Sequence, residues 1–377
     1  MFSKIISVFG TRPEAIKMAP VILELEKTPG ITQKVIVTGQ HRELLDQVVN
    51  LFGIKVDYDL NVMRDQQQLT DVAVKILGEI GEIYKKEEPD LILVHGDTIT
   101  AFISSLAALY NKIPVGHVEA GLRTYEKYDP FPEEMNRQLI DVLADIYFAP
   151  TNHTRDNLIR EGKNGNACFV TGNTVIDALL HVTKNEFSFI NHELNKVDFT
   201  HRVILLTTHR RENIGDIMRG IHSAVAKIVA KLKDVEVVFP VHPNPKVKEV
   251  ANEILGNKER IHLVEPLDYQ DMAMVMKKCF MVMTDSGGLQ EEAPALNKPV
   301  LVLRETTERQ EGVDAGTLKL VGTNEQDIFD SATELLEDKK VYSKMARSHN
   351  PYGDGKAAKR IVKIIANLST GYMVNPN

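Results

Sequence analysis

Short, almost wholly apolar runs alternate with longer amphipathic segments along nearly the whole chain. In the first half the runs are KIISVFG (4–10), KVIVTG (34–39), DLILVHGD (90–97), IPVGHVEAG (113–121), IYFAPT (146–151) and CFVTG (168–172). Strands apolar on both faces belong to a parallel sheet covered by helices on both sides. Helices are expected from about Pro13, where proline suits a first turn, and over 98–110 and 133–144. A second series opens at RVILLTTHR (202–210) and continues through VEVVFPVH (235–242), RIHLVEP (260–266), CFMVMTD (279–285), KPVLVLR (298–304) and LKLVG (318–322). The more polar stretch 173–200 reads as a helix plus linker. The pattern therefore predicts an α/β protein of two doubly wound domains, 1–172 and 201–354. Open parallel sheets take ligands off the carboxyl ends of their strands, so two such domains facing each other should enclose a cleft. The segment 355–368, GKAAKRIVKIIANL, has helical spacing and suits a last helix packed on either domain.

Composition narrows the function classes. The chain has 377 residues, enough for two cores, and a formal net charge of −7, which leaves no electrostatic footprint for nucleic acid. Its two cysteines, Cys168 and Cys279, sit far apart in apolar runs, as buried thiols do in a reducing cytoplasm. The opening MFSKIISVFGTRPE holds only about six apolar residues before Thr-Arg-Pro, short of a signal-peptide core. No apolar run nears the ~18 residues of a membrane span. Metal-ligand spacings (CxxC, HxxxH, HExxH), a Walker-A loop, a Gly-x-Ser-x-Gly elbow and a GxGxxG turn after the first strand are all missing. The sequence thus names no metal and no cofactor.

Chemically expensive residues gather at the strand carboxyl ends. The first strand runs into GTRPEAIK, with Arg12 and Lys17; the run at 91–94 ends in His95 and Asp97. The next supplies His117, Glu119 and Arg123, followed by PFPEEMNR with Glu133, Glu134 and Arg137. In the second series, His209 and Arg210 follow one strand, His242 another, and Arg309 lies in ETTERQEG. MVMTDSGGLQEEAP (281–294) ends a strand in Ser286, Gly287 and Gly288 and then places Glu292 one turn into a helix. A helix start attracts anions, and glycines permit close approach. Carboxylates just behind it suit hydroxyls, so the stretch describes a ligand anionic at one end and rich in hydroxyls further along.

With these residues assembled, the sequence resembles the non-hydrolysing UDP-N-acetylglucosamine 2-epimerases of bacteria. The likeness runs nearly end to end, through FGTRPEAIKMAP, QHRELLDQV, LVHGDT, VGHVEAGLRT, PFPEEMNRQ, TGNTVIDAL, HRREN, TDSGGLQEEAP, KPVLVLR and NPYGDG. The resemblance implies two Rossmann-like domains in the GT-B arrangement, a homodimer, and UDP-GlcNAc and UDP-ManNAc as the partners. It implies that Ser286, Gly287 and Gly288 hold the diphosphate with Arg12 and Arg309 near it, that Glu292 takes the ribose hydroxyls, and that Lys17 and Arg137 are further substrate-binding residues. Asp97, Glu119, Glu133 and His209 occupy the positions of the catalytic groups. The family mechanism removes the C2 proton as UDP leaves C1, giving 2-acetamidoglucal, and then adds UDP back with protonation on the opposite face.

Three departures stand out. Met272 replaces a phenylalanine near the uracil, keeping a polarizable contact but losing the ring. Gln310 replaces a proline beside Arg309, which loosens that loop. Among positions matching a second, activating UDP-GlcNAc site, Gln40, Arg210 and His242 are kept, as is Glu133, but Glu43 and Gln66 replace a glutamine and an arginine. An added acid and a lost arginine predict weak or absent activation. A GT-B glycosyltransferase, a hydrolysing epimerase releasing free ManNAc, and a non-catalytic UDP-sugar sensor are the competing readings.

Overall fold

A computed structural model describes residues 2–39, 42–63, 67–185 and 188–368, apart from the side chains of Arg42 and Glu43. Gln40 and Gln66, and the side chain of Glu43, lie outside the described residues. The chain divides into two compact units, Met1–Ala178 with Gly353–Asn377, and Leu179–Tyr352.

The first unit runs β1 (Lys4–Phe9), α1 (Arg12–Glu26), β2 (Thr32–Val37), α2 (Arg42–Phe52), β3 (Tyr58–Asp59) and α3 (Leu69–Glu87). It continues with β4 (Leu91–His95), α4 (Ile99–Tyr110), β5 (Val115–Val118), α5 (Glu133–Leu143), β6 (Ile146–Ala149), α6 (Asn152–Arg160) and β7 (Cys168–Val170), and leads into α7 (Thr174–Thr183). The second unit holds β8 (Arg202–Thr207), α8 (Asp216–Lys231), β9 (Val235–Pro240), α9 (Pro245–Leu255), β10 (Ile261–Val264), α10 (Tyr269–Lys278) and β11 (Met281–Thr284). After it come α11 (Gly287–Glu292), β12 (Val300–Val302), α12 (Gln310–Asp314), β13 (Leu318–Leu320), α13 (Glu325–Glu337) and α14 (Lys339–Ala346). A final α15 (Ala357–Asn367) returns to the first unit.

Each unit has one sheet, ordered β3-β2-β1-β4-β5-β6-β7 in the first and β10-β9-β8-β11-β12-β13 in the second. The strand pairs are parallel, as apolar runs joined by helices require. The order reverses between β1 and β4 and again between β8 and β11, and at such a switch point the adjoining turns diverge and open a crevice. The turns that flank these two points are 10–12 and 96–98 in one unit, and 208–210 and 285–286 in the other.

Local chemistry explains the boundaries. Thr11 and Glu14 form a capping box on α1, and Pro13 needs no N–H donor in that first turn. The apolar run 113–121 yields a strand of only four residues, because Glu119 turns to φ +67 and leaves the pleat. The edge strand β3 is two residues long and has no apolar run to announce it. Asp177 accepts from the backbone N–H groups of Ala357 and Ala358 (3.1 and 3.0 Å), which ties the start of α15 to α7. The apolar face of α15, with Ile361 and Ile365 fully buried, packs on α1. Both cysteines are buried free thiols, and burial pushes them up to about 11 for Cys168 and about 12 for Cys279. No described helix is long and apolar enough to cross a membrane.

Candidate active site

In the first unit the turns after β1, β4 and β5 bring several predicted residues together. Gly10 ends β1 where a Cβ would stand 2.2 Å from Thr38 Oγ1 and 2.4 Å from Thr100 Oγ1, so only glycine fits. The fully enclosed Glu14 carboxylate accepts from the N–H groups of Gly10 (3.0 Å) and Thr11 (2.8 Å) and from Thr98 Oγ1 (2.7 Å). It clamps the β1 turn to the β4 turn. Arg12 sits at the head of α1, half-buried, with no hydrogen bond or ion pair among the described residues.

Glu119 is the centre of this half. Its Oε2 pairs with Lys17 Nζ, accepts from Asn173 Nδ2 at 3.1 Å and lies 3.7 Å from His95 Nε2. Burial by itself would raise the carboxyl, but the charges of Lys17 and His95 outweigh it and hold Glu119 well below the usual carboxylate range. A non-glycine residue at φ +67 costs about 1–3 kcal/mol and persists only where its surroundings enforce it, and strain of this kind collects at functional sites. Here the N–H groups of Glu119 and Ala120 both donate to Phe148 O (3.0 and 3.2 Å). His95 is 3% exposed, and neither ring nitrogen has a hydrogen-bond partner among the described residues. A buried ring with two unsatisfied nitrogens is uncommon in a settled core and suits a ligand-facing position.

Asp97 accepts from Arg137 Nη2 at 2.6 Å, and its backbone carbonyl accepts from Asn136 Nδ2 at 2.9 Å. Glu133 and Glu134 open α5 with opposite fates. The Glu134 carboxylate is fully buried and accepts from the N–H groups of Thr124 (3.0 Å) and Tyr125 (3.1 Å), shaping the loop before the helix. Glu133 is half-buried and has no such partner among the described residues.

Two residues that sequence reasoning set among the polar strand ends turn inward instead. His117, fully buried on β5, places Nδ1 2.6 Å from Asp141 Oδ1 and Nε2 2.7 Å from the carbonyl of Gly96. Arg123 donates to Asp141 Oδ2 (2.7 Å) and to Glu161. They form a structural lattice on Asp141 behind the 95–97 turn. The strand-end pattern could not separate them from the site, because Asp141 comes from α5.

In the second unit, Asp285 organises the turn after β8. Its carboxylate is fully buried and accepts from the N–H groups of His209 (2.8 Å) and Arg210 (2.9 Å) and from Asn213 Nδ2 (3.2 Å). Burial pushes this carboxyl up, but the His209 ring, 3.0 Å away at Nδ1, and the backbone donors bring it below its usual value. The His209 ring is stacked on His242, with centroids 5.7 Å apart. Arg210 donates from Nε to Asp285 O at 3.3 Å, so Arg210 and His242 gather at the same turn as His209.

Ser286 caps α11 by position, and its hydroxyl makes no capping bond. A Cβ on Gly287 would approach Arg309 Cζ to 3.2 Å, so the guanidinium lies directly over this backbone. Arg309 is held there by Glu291 Oε1 at 2.9 Å from Nε. Gln290 braces the arrangement by donating to Ser286 O (3.1 Å) and accepting from Thr307 Oγ1 (2.6 Å). Glu292 lies next to Tyr269, whose phenol is raised well above its ordinary value by burial first and by the Glu292 charge second. Met272 is half-buried on α10. The second unit thus joins a cation and a glycine turn to a carboxylate one helical turn behind, a donor set for a phosphate followed by hydroxyls. Asn173 and Asp285 were missed as site-building residues. Both lie in stretches already singled out, TGNTVIDAL and TDSGG, but nothing in the spacing reveals their long-range partners.

Residues 23–366 match the model of the family described as UDP-N-acetylglucosamine 2-epimerase. The UDP-N-acetylglucosamine 2-epimerase of Bacillus subtilis is 52% identical over 360 residues, covering 96% of this chain and 94% of the relative. The crystal structure of a putative UDP-N-acetylglucosamine 2-epimerase from Listeria monocytogenes superposes with a TM-score of 0.92 at 50% identity, covering 97% of this chain and 96% of that one. The Neisseria meningitidis UDP-GlcNAc 2-epimerase bound to UDP-GlcNAc gives a TM-score of 0.84 at 47% identity, over 97% of this chain and 100% of that one. A match of this length goes beyond shared architecture: the chain belongs to the UDP-N-acetylglucosamine 2-epimerase family.

Proposed function

We propose that this epimerase interconverts UDP-GlcNAc and UDP-ManNAc by eliminating and re-adding UDP. The observation that carries the reading is Glu119, a strained, buried carboxylate kept ionised by Lys17 and 3.7 Å from His95, whose ring nitrogens have no hydrogen-bond partner among the described residues. The C2 hydrogen of the sugar is not adjacent to a carbonyl, so its removal needs a leaving group on the neighbouring carbon. The C–H electron pair becomes the C1–C2 double bond as the C1–O pair departs with UDP, and the proton passes to a carboxylate. Re-addition reverses these movements with proton delivery to the other face. Asp97, Glu119 and Glu133 supply the acidic groups, two for the faces of C2 and one to orient or tune them. Arg309, Arg12, His209 and the Ser286–Gly288 turn stabilise the departing diphosphate. The chemistry needs no redox cofactor.

Incubation with UDP-GlcNAc alone, followed by NMR, tests the reading. UDP-ManNAc should accumulate without free ManNAc. Release of ManNAc and UDP would mark a hydrolysing enzyme, and inertness until an acceptor is added would mark a transferase.

Lys17 sets the pH behaviour. It is the largest influence lowering Glu119, so Lys17→Met should raise that carboxyl. The sign is fixed: a group that must be ionised loses activity as pH falls through its pKa. The acid limb of kcat/KM should therefore lie at higher pH in the variant than in the parent, and superimposable profiles would contradict this.

We also infer a homodimer through the layer α3, α4 and α5, which presents Val74, Leu109, Tyr110, Leu139 and Val142 to solvent in one chain. Several exposed apolar side chains on neighbouring helices suit a second copy. Light scattering should give twice the chain mass for the parent and a monomer for Val142→Asp. Rate curves in UDP-ManNAc should be hyperbolic without added UDP-GlcNAc, because Glu43 and Gln66 weaken a second diphosphate site. Sigmoidal curves, with conversion awaiting UDP-GlcNAc, would contradict this.

A further inference from the structure

At the amino ends of β8, β9 and β10, away from the turns that carry the candidate site of this unit, two histidines and two carboxylates converge. Glu236 is the second residue of β9, and its side chain is buried. Strand alternation puts Val235, Val237 and Phe239 in the core of one sheet face, so Glu236 and Val238 belong to the opposite face. The parallel registers Val203↔Glu236 and His262↔Val238 bring His201, two residues before Val203, and His262 onto that same face. Three adjacent strands therefore each place one donor side by side.

Distances agree with this placement. His201 Nδ1 lies 2.9 Å from Glu236 Oε1, and His262 Nε2 lies 2.7 Å from Glu236 Oε2. Asp198 reaches in from the preceding segment, with Oδ2 3.8 Å from His201 Nε2 and its backbone N–H donating to Glu236 Oε2 at 3.2 Å. Asp198, His201 and Glu236 each offer a ligand atom, and these three atoms lie within 4.8 Å of one another. Four donors on a tetrahedron with bonds of ~2.0–2.1 Å are about 3.3 Å apart; three of these donors already lie within 4.8 Å of one another, and His262 stands 2.7 Å from Glu236 Oε2. No lysine or arginine pairs with Glu236 among the described residues. A buried carboxylate needs charged or hydrogen-bonding partners, and here two imidazoles and the Asp198 N–H supply them.

We propose that Asp198, His201, Glu236 and His262 form a divalent transition-metal site of the zinc type that staples the amino ends of β8, β9 and β10. Two imidazoles with two carboxylates are a nitrogen–oxygen set that favours zinc over calcium or magnesium. The site is remote along the strands from His209 and Ser286, so the ion stabilises the fold and takes no part in turnover. Sequence inspection finds no such site because its donors stand at 198, 201, 236 and 262, outside any short motif spacing.

The test uses the full chain, free of any histidine tag and dialysed against chelator. Calorimetric titration with zinc chloride should saturate at one ion per chain, and zinc at a hundredfold excess over Kd should raise Tm by about 4 °C or more. Asp198→Asn removes an exposed donor without disturbing the core, and His262→Gln removes a half-buried one. Each should retain the metal-free Tm within a few degrees and lose most of the zinc response, while UDP-GlcNAc turnover stays the same with or without zinc in the parent. Absence of saturable uptake by the parent would overturn the proposal, leaving a hydrogen-bonded His-Glu-His network. Equal zinc responses in parent and both variants would overturn it too, since the ion would then be bound elsewhere.

Discussion

Replacing Glu119 with glutamine should lower turnover at least ~10²-fold, the lower bound for a residue in acid–base catalysis. Glutamine keeps the shape of the side chain and a partner for Asn173, but it neither accepts a proton nor balances Lys17. Two effects then act together. The reacting carbon loses a proton acceptor, and the Lys17 ammonium, only partly exposed, loses the counter-charge that holds it beside the site. Removing one partner of a buried pair is destabilising, so a thermal melt must accompany the rate measurement. Activity scaled to folded protein should still show the full loss. Asp97→Asn should behave likewise, with a smaller structural effect because Asp97 is more exposed than Glu119 and Arg137 keeps Glu134 within 3.7 Å. Near-normal rates in both amide variants would remove these carboxylates from the mechanism.

The second large effect is on folding. Gly121→Ala should destabilise the first unit by about 3 kcal/mol or more, combining the left-handed backbone penalty with overpacking. Gly121 sits at φ +84, and a Cβ there would stand 2.1 Å from the carbonyl oxygen of Thr154 and 3.0 Å from Leu158 Cγ. The obstacle is helix backbone, which cannot swing aside as a flexible side chain would. Both ends of the residue are also tied, its N–H to Asp141 Oδ2 at 3.3 Å and its carbonyl to Asn157 Nδ2 at 3.0 Å. Relief of the clash would therefore have to move α6 or the turn bearing Glu119. A fall in Tm of roughly 6 °C or more is expected for a unit of this size, with activity lost in proportion to unfolding. An unchanged Tm would show that the turn is looser than its contacts indicate.

Much of this was legible from residue order, for identifiable reasons. Strands buried on both faces leave uninterrupted apolar runs, so all the strands except β3 could be placed from sequence in about the right positions. Turn residues after β1, β4, β5, β8 and β11 carry the polar groups because only strand ends can present them to a ligand. What stayed hidden depends on partners distant in sequence. Glu134 and Glu133 are neighbours in a helix, yet one is consumed by backbone donors of the loop at 124–125. His117 and His95 both end apolar strands, but Asp141 on α5 takes His117 into the structural lattice. Asp285 looks like a loop residue until three donors from 209–213 converge on it. The two-residue β3 shows that an edge strand this short leaves no periodic signal.

In the proposed mechanism, proton exchange at C2 accompanies departure of UDP. The most direct measurement is the reaction of UDP-GlcNAc in heavy water without acceptor, read by NMR and mass spectrometry. Product UDP-ManNAc should carry deuterium at C2 in every molecule formed. Accumulation of the mannose isomer with its original C2 proton intact would contradict the mechanism and require epimerisation that never releases that hydrogen to solvent.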